Sequence, residues 1–163
     1  MSMNTVPERL AALRAAMTAN GVAVYLIPVG DPHASEYLPA HYTSLTWFSG
    51  FHGENSNLVV TRTGSALWAD GRYFVQAEKE LAGTEIELQR MGEPGVPTVE
   101  EYCADALNEG EVLGLCGLTA STALVNGLKK ALEKKGASIR TLRLEDELWT
   151  CLLYTSPSPR DYA

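Results

Sequence analysis

Hydrophobic and polar positions are most sharply patterned between Asn57 and Leu81, NLVVTRTGSALWADGRYFVQAEKEL. Asn57 to Thr61 and Ser65 to Ala69 are β-branched and aromatic runs separated by Arg62-Thr63-Gly64, a short glycine-containing connection that predicts a β-hairpin. Alternation puts Trp68 on the same hairpin face as Ala66. Asp70 is placed to cap a following helix, because its carboxylate can accept the unpaired amide hydrogens of the first turn. Phe74, Ala77 and Leu81 then share a face that should lie on the hairpin, leaving Gln76, Glu78, Lys79 and Glu80 in water.

The same reading extends along the chain. A helix capped by Thr5 or Asn4 begins near Pro7, with Leu10, Leu13 and Met17 as its buried stripe and Asn20-Gly21 as its end. Val22 to Ile27 is continuously apolar, as expected for a strand covered on both faces, and Pro28 ends it. Ala34 to Tyr37 reads as a helical turn and Tyr42 to Phe48 as a short helix. Ile86 to Met91 alternates as a strand, and Gly92 to Pro97 is the most breaker-rich loop. Thr98 with Glu101 forms a capping box for a helix through Leu107. Glu111 to Cys116 is a further strand, a helix from Thr119 or Ser121 reaches about Lys135, and Ser138 to Leu144 is the last strand. Strands and helices alternate through most of this order, which predicts an α/β domain: a mixed β-sheet flanked by helices on both faces. Residues 1–150 form this domain. Residues 151–163, CLLYTSPSPRDYA, lack periodicity, resemble an adaptor-derived tail behind a truncated reading frame, and are expected to be unstructured.

At 163 residues with 45% hydrophobic and 20% charged content, the chain can bury a full core without disulfides. Its net charge of −7, with no basic run, excludes a nucleic-acid partner; Lys129, Lys130, Lys134 and Lys135 read as the solvated face of a helix. Cys103, Cys116 and Cys151 have no metal-ligand spacing and cannot all pair, which suits reduced thiols in a cytoplasm. The first residues lack the apolar run of a signal peptide, and no stretch reaches membrane-spanning length, so a soluble, unexported chain with no membrane partner is expected.

Candidate chemistry is sparse. Gly30-Asp31-Pro32-His33 should turn at the carboxyl end of a strand, the edge where α/β sheets hold ligands, so Asp31 and His33 are site candidates by position. With Glu36 they could form a ligand or acid/base set, although the stronger reading is that Asp31-Pro32 is turn chemistry and His33 a polar loop residue. Ser49 lacks the flanking glycines of a nucleophile elbow. Arg72, at a helix start, opposes the helix dipole, so helix stability does not explain it, and an ion pair with Asp70 or a nearby Glu is the competing structural reading. No catalytic residue and no metal-ligand set is identified in the chain.

Ser49-Gly50-Phe51 followed by the hairpin and Leu67-Trp68-Ala69-Asp70-Gly71-Arg72-Tyr73-Phe74 resembles the amino-terminal domain of Xaa-Pro aminopeptidases (aminopeptidase P), within the creatinase/prolidase family. Tyr25-Leu26-Ile27-Pro28, Asp31-Pro32-His33, Ser35-Glu36-Tyr37, Arg90-Met91-Gly92, Pro97-Thr98 and Asp146-Glu147-Leu148-Trp149 extend the likeness in the family's order. Thr43-Ser44-Leu45 and Glu54-Asn55-Ser56 depart from the basic residues and the Ser-Ala-Gly run common at those places. The resemblance implies the creatinase amino-terminal fold. It implies a non-catalytic domain that walls the substrate cleft and supports assembly of a cytoplasmic homo-oligomer. The full-length enzyme would remove the first residue from peptides with proline second, using manganese or another divalent pair held in a pita-bread domain absent from this chain. Arg72 would then sit at the mouth of the active site. Two alternatives share the architecture: a non-catalytic protein-binding module, and the amino-terminal domain of a prolidase or creatinase.

Overall fold

The computed structural model describes residues 5–28, 44–52, 56–115, 122–141 and 144. Helix α1 (Val6–Ala19) starts at Thr5, whose hydroxyl accepts from the Glu8 amide, and Leu10, Leu13 and Met17 are its buried stripe. It stops where Gly21 takes a left-handed φ of 71°, which a side chain would resist. Strand β1 (Val24–Pro28) is buried at every position, so its apolar residues feed both layers of the core. The short helix α2 (Ser44–Ser49) follows. Strands β2 (Asn57–Thr61) and β3 (Ser65–Ala69) form the expected hairpin. Its turn is closed by the Thr61 amide on Gly64 O at 2.8 Å and the Gly64 amide on Thr61 Oγ1 at 3.0 Å.

Asp70 does cap, but what it caps is a 3-10 turn (Gly71–Tyr73) whose Arg72 amide its side chain accepts. Helix α3 (Phe74–Glu80) continues from there. Strand β4 (Ile86–Arg90), helix α4 (Val99–Ala106), strand β5 (Val112–Leu115), helix α5 (Thr122–Glu133) and strand β6 (Ser138–Thr141) complete the order. The capping box at α4 is present in both directions, Thr98 to the Glu101 amide and Glu101 back to the Thr98 amide.

The six strands lie in the order β4-β3-β2-β1-β5-β6. Only β2 runs against its neighbours, pairing antiparallel with β1 and β3; β3 with β4, β1 with β5, and β5 with β6 are parallel. The sheet is therefore mixed, and its two faces carry separate cores. On one, Tyr25, Ile27, Leu58, Val60 and Leu67 meet Leu10 and Leu13 of α1, Phe48 of α2 and Ala77 of α3. On the other, Val24, Leu26, Val59, Ala66 and Trp68 meet Cys103 and Leu107 at α4 and Leu128 and Leu132 of α5. Each fully buried Val, Leu, Ile or Phe side chain contributes roughly 1.5 to 3 kcal/mol from leaving water, and Ala66 and Trp68 share a face as their alternation requires.

Three expectations change. The last strand is described over Ser138–Thr141, where Thr141 pairs with Leu115 of β5. Leu144 is helical, buried, and donates its amide to Tyr25 Oη at 3.2 Å. Phe74 is half-buried, with the Arg90 guanidinium 5.5 Å from its ring centroid, so Ala77 and Leu81 carry the α3 contact with the core. Gln76 and Glu80 are half-buried rather than in water, drawn in by a hydrogen-bonded cluster with His52. The expected helical turn at Ala34 to Tyr37 and the tail 151–163 lie outside the described residues.

Candidate functional site

Because β2 is the lone reversed strand, the carboxyl ends of β1, β3, β4, β5 and β6 all reach one edge of the sheet, joined there by the amino end of β2. That is the edge where α/β sheets hold ligands, most often where the chain order reverses. Here the reversal lies between β1 and β5: the chain first builds outward through β2, β3 and β4, then crosses to β5. Asp31 and His33 follow β1 at this place in sequence, but they lie outside the described residues, as does the segment after Leu115.

Arg72 stands at the same edge, two residues after Asp70 leaves β3. The pair is local: Arg72 Nη2 donates to Asp70 Oδ2 at 3.0 Å, and the Arg72 amide donates to Asp70 Oδ1 at the same distance. The guanidinium also lies 5.4 Å from the Tyr73 ring centroid, and Tyr73 meets Phe51 edge-on at 6.0 Å. The Arg72 side chain remains 69% exposed, so this ion pair is screened and stabilises the fold by at most about 1 kcal/mol. Val75, three residues on, is 66% exposed. The edge thus presents a planar cation held by the Asp70 carboxylate and the Tyr73 ring.

A second cluster on the α3 side escaped sequence reading. Glu80 accepts from Gln76 Nε2 at 2.7 Å and from the His52 amide at 3.1 Å, while His52 Nδ1 stands 2.5 Å from its other oxygen. Burial would raise the Glu80 carboxyl, but the hydrogen bonds from Gln76 and His52 outweigh it and hold the group below its ordinary value. Twenty-eight residues separate His52 from Glu80, so no local spacing signals the contact. The cluster pins the loop entering the hairpin to α3.

Ser49 is structural. Its hydroxyl, fully buried, donates to Leu45 O at 2.6 Å and accepts from the Phe51 amide at 3.1 Å, which closes α2 and turns the chain. Cys103 is buried on the α4 side, and burial pushes its thiol well above the ordinary range, so it is not a nucleophile.

On the opposite face of the same edge, a groove of about 390 Å³ runs between the loop after β4 and α5, lined in part by Trp68, Met91, Pro97 and Leu124. The Trp68 indole donates to Pro97 O at 2.9 Å. Among the described residues, no three His, Cys, Asp or Glu side chains come together as a ligand set. The carboxylates of Asp70, Glu78, Glu80, Glu85 and Glu111 are each engaged by an arginine or His52.

The chain belongs to the creatinase/prolidase N-terminal domain family, whose model matches residues 9–145. Aminopeptidase P2 of Arabidopsis thaliana is 40% identical over 149 residues, which cover 88% of this chain and 21% of that protein. The X-prolyl aminopeptidase of Caenorhabditis elegans, described as a cytosolic enzyme with a di-nuclear active site, superposes with a TM-score of 0.81 at 32% identity. That match covers 90% of this chain and 26% of the enzyme. The N-terminal domain of the cytoplasmic peptidase PepQ from Mycobacterium tuberculosis shares the fold, with a TM-score of 0.62 at 24% identity, 86% of this chain and 97% of that domain being covered. The chain spans about a fifth of the length of the curated relative and about a quarter of the nematode enzyme.

Proposed function

We propose that this chain is the non-catalytic amino-terminal domain of a metal-dependent Xaa-Pro aminopeptidase, a peptidase that removes the first residue from peptides with proline second. The observation that carries this reading is the 40% identity to an aminopeptidase P across nearly all of this chain but only 21% of the relative. The bulk of the enzyme's machinery then lies in the remainder of the relative's length. On that division a manganese or other divalent pair would be held by that remainder. By the same reading the full-length protein is a cytoplasmic homo-oligomer.

In this reading Arg72 is a wall of the substrate cleft. Its guanidinium is exposed at the sheet edge, and a planar fork can bond a peptide carboxylate or carbonyl in two places, which lysine cannot reproduce. The test has two parts. The 163-residue chain alone should release no amino-terminal residue from Xaa-Pro peptides; stoichiometric manganese binding with measurable release overturns the proposal. In a full-length relative carrying the Asp-Gly-Arg-Tyr-Phe run, changing that arginine to lysine should lower kcat/KM about tenfold or more with the melting point unchanged. Unchanged kinetics with a lowered melting point would make Arg72 structural.

A further inference from the structure

The groove beside Trp68 takes no part in that reading. We propose that it is a docking groove for a short segment of a partner protein in which a leucine-sized apolar side chain stands next to lysine or arginine. Its floor is the first reason. Met91, Val96, Pro97 and Leu124 are only half-buried, and with Trp68 they gather in one concavity of about 390 Å³. That volume is at the small end for binding sites and suits a few side chains rather than a domain.

Charge is the second reason. Glu93 and Glu100 line the groove, and no Lys, Arg or His does so among the described residues. Neither carboxylate forms an ion pair among those residues. Two uncompensated negative charges beside an apolar floor select a cation carried next to an apolar group and repel nucleic acid and anionic lipid. Gly127 makes room for one of them: a Cβ there would stand 3.3 Å from Glu100 Cγ and Oε1.

The third reason is that the walls are already set. The Glu93 amide donates to Arg90 O and the Val96 amide to Glu93 O, both at 3.2 Å. Gly92 and Gly95 supply the positive φ of 87° and 81° in these turns, and the Thr98–Glu101 capping box fixes the start of α4. A groove built in advance does not lose affinity to loop ordering.

The test is a titration of the isotopically labelled 163-residue chain, followed by NMR, with the blocked peptide Gly-Lys-Leu-Arg-Gly and its counterpart Gly-Glu-Leu-Glu-Gly. The Trp68 indole N–H, bonded to the groove wall at Pro97 O, is the local reporter. The basic peptide should shift it saturably with a Kd below about 1 mM, and the acidic peptide should not. Glu93→Gln with Glu100→Gln should weaken binding about fivefold to tenfold, the sum of two exposed ion pairs, while leaving the free protein's Trp68 resonance in place. Equal binding of both peptides, no effect of the double substitution, shifts that map elsewhere, or no shift at about 1 mM overturns the proposal. So does a concentration-dependent Trp68 shift without peptide, since a second copy would then occupy the groove.

Discussion

Replacing Trp68 with alanine removes the largest fully buried side chain among the described residues, 1% exposed. Three contributions are lost together. The ring fills the α4-side core beside Val59 and Ala66 on the sheet and Val99 and Cys103 on α4. It also meets Tyr102 edge-on at 5.0 Å, worth roughly 0.5 to 1.5 kcal/mol beyond burial. Its indole bond to Pro97 O at 2.9 Å adds about 1 kcal/mol net. Large-to-small substitutions of this kind cost about 3 to 5 kcal/mol, because the cavity closes only in part. For a chain of this size that is a fall in Tm of roughly 6 to 20 °C. Trp68→Phe keeps most of the packing and loses the hydrogen bond, so it should cost about 1 to 2 kcal/mol. Urea unfolding followed by far-ultraviolet circular dichroism measures both. A Trp68→Ala cost below about 1 kcal/mol would show that the ring is not core. Equal costs for the two variants would show that the hydrogen bond, not the packing, dominates.

Thr98→Ala removes the side-chain acceptor for the Glu101 amide and one half of the capping box; unfolding midpoints should report a loss of about 1 kcal/mol. Arg14 holds Glu85 through a two-pronged contact, Nη1 to Oε1 at 2.9 Å and Nη2 to Oε2 at 2.7 Å. The hydrogen bond from Arg14, against partial burial, keeps the Glu85 carboxyl below its ordinary value. Since its folded value lies below the unfolded one of about 4.3, its stabilisation is present above that pH and is lost as pH falls through the folded value. Glu85 is 35% exposed, so Glu85→Gln should cost under about 1 kcal/mol at neutral pH. The difference from the unsubstituted chain should shrink as pH falls through the folded value; urea midpoints that diverge further in acid would refute this sign.

The local grammar of the chain determined its elements. Asn57–Thr61 and Ser65–Ala69 pair as a hairpin because a three-residue connection leaves them no other near partner. Thr98 caps α4 because its oxygen and Glu101 lie three residues apart on the first turn. Trp68 is buried beside Ala66 because side chains alternate along a strand. Such features depend on spacings of two to four residues, which a sequence shows directly. The candidate site was legible only as places: Arg72 after a strand end, and Asp31 and His33 after another. Contacts across the fold were not legible. His52 reaches Glu80 over 28 residues, Arg14 reaches Glu85 over 71, and Leu144 donates to Tyr25 over 119. No periodicity encodes a meeting of that kind, since it follows from how the sheet stacks its helices. The groove at Trp68 has the same origin: Met91, Glu93, Glu100 and Leu124 belong to three separate stretches, and only the packing of α4 and α5 on one face of the sheet brings them to a common edge.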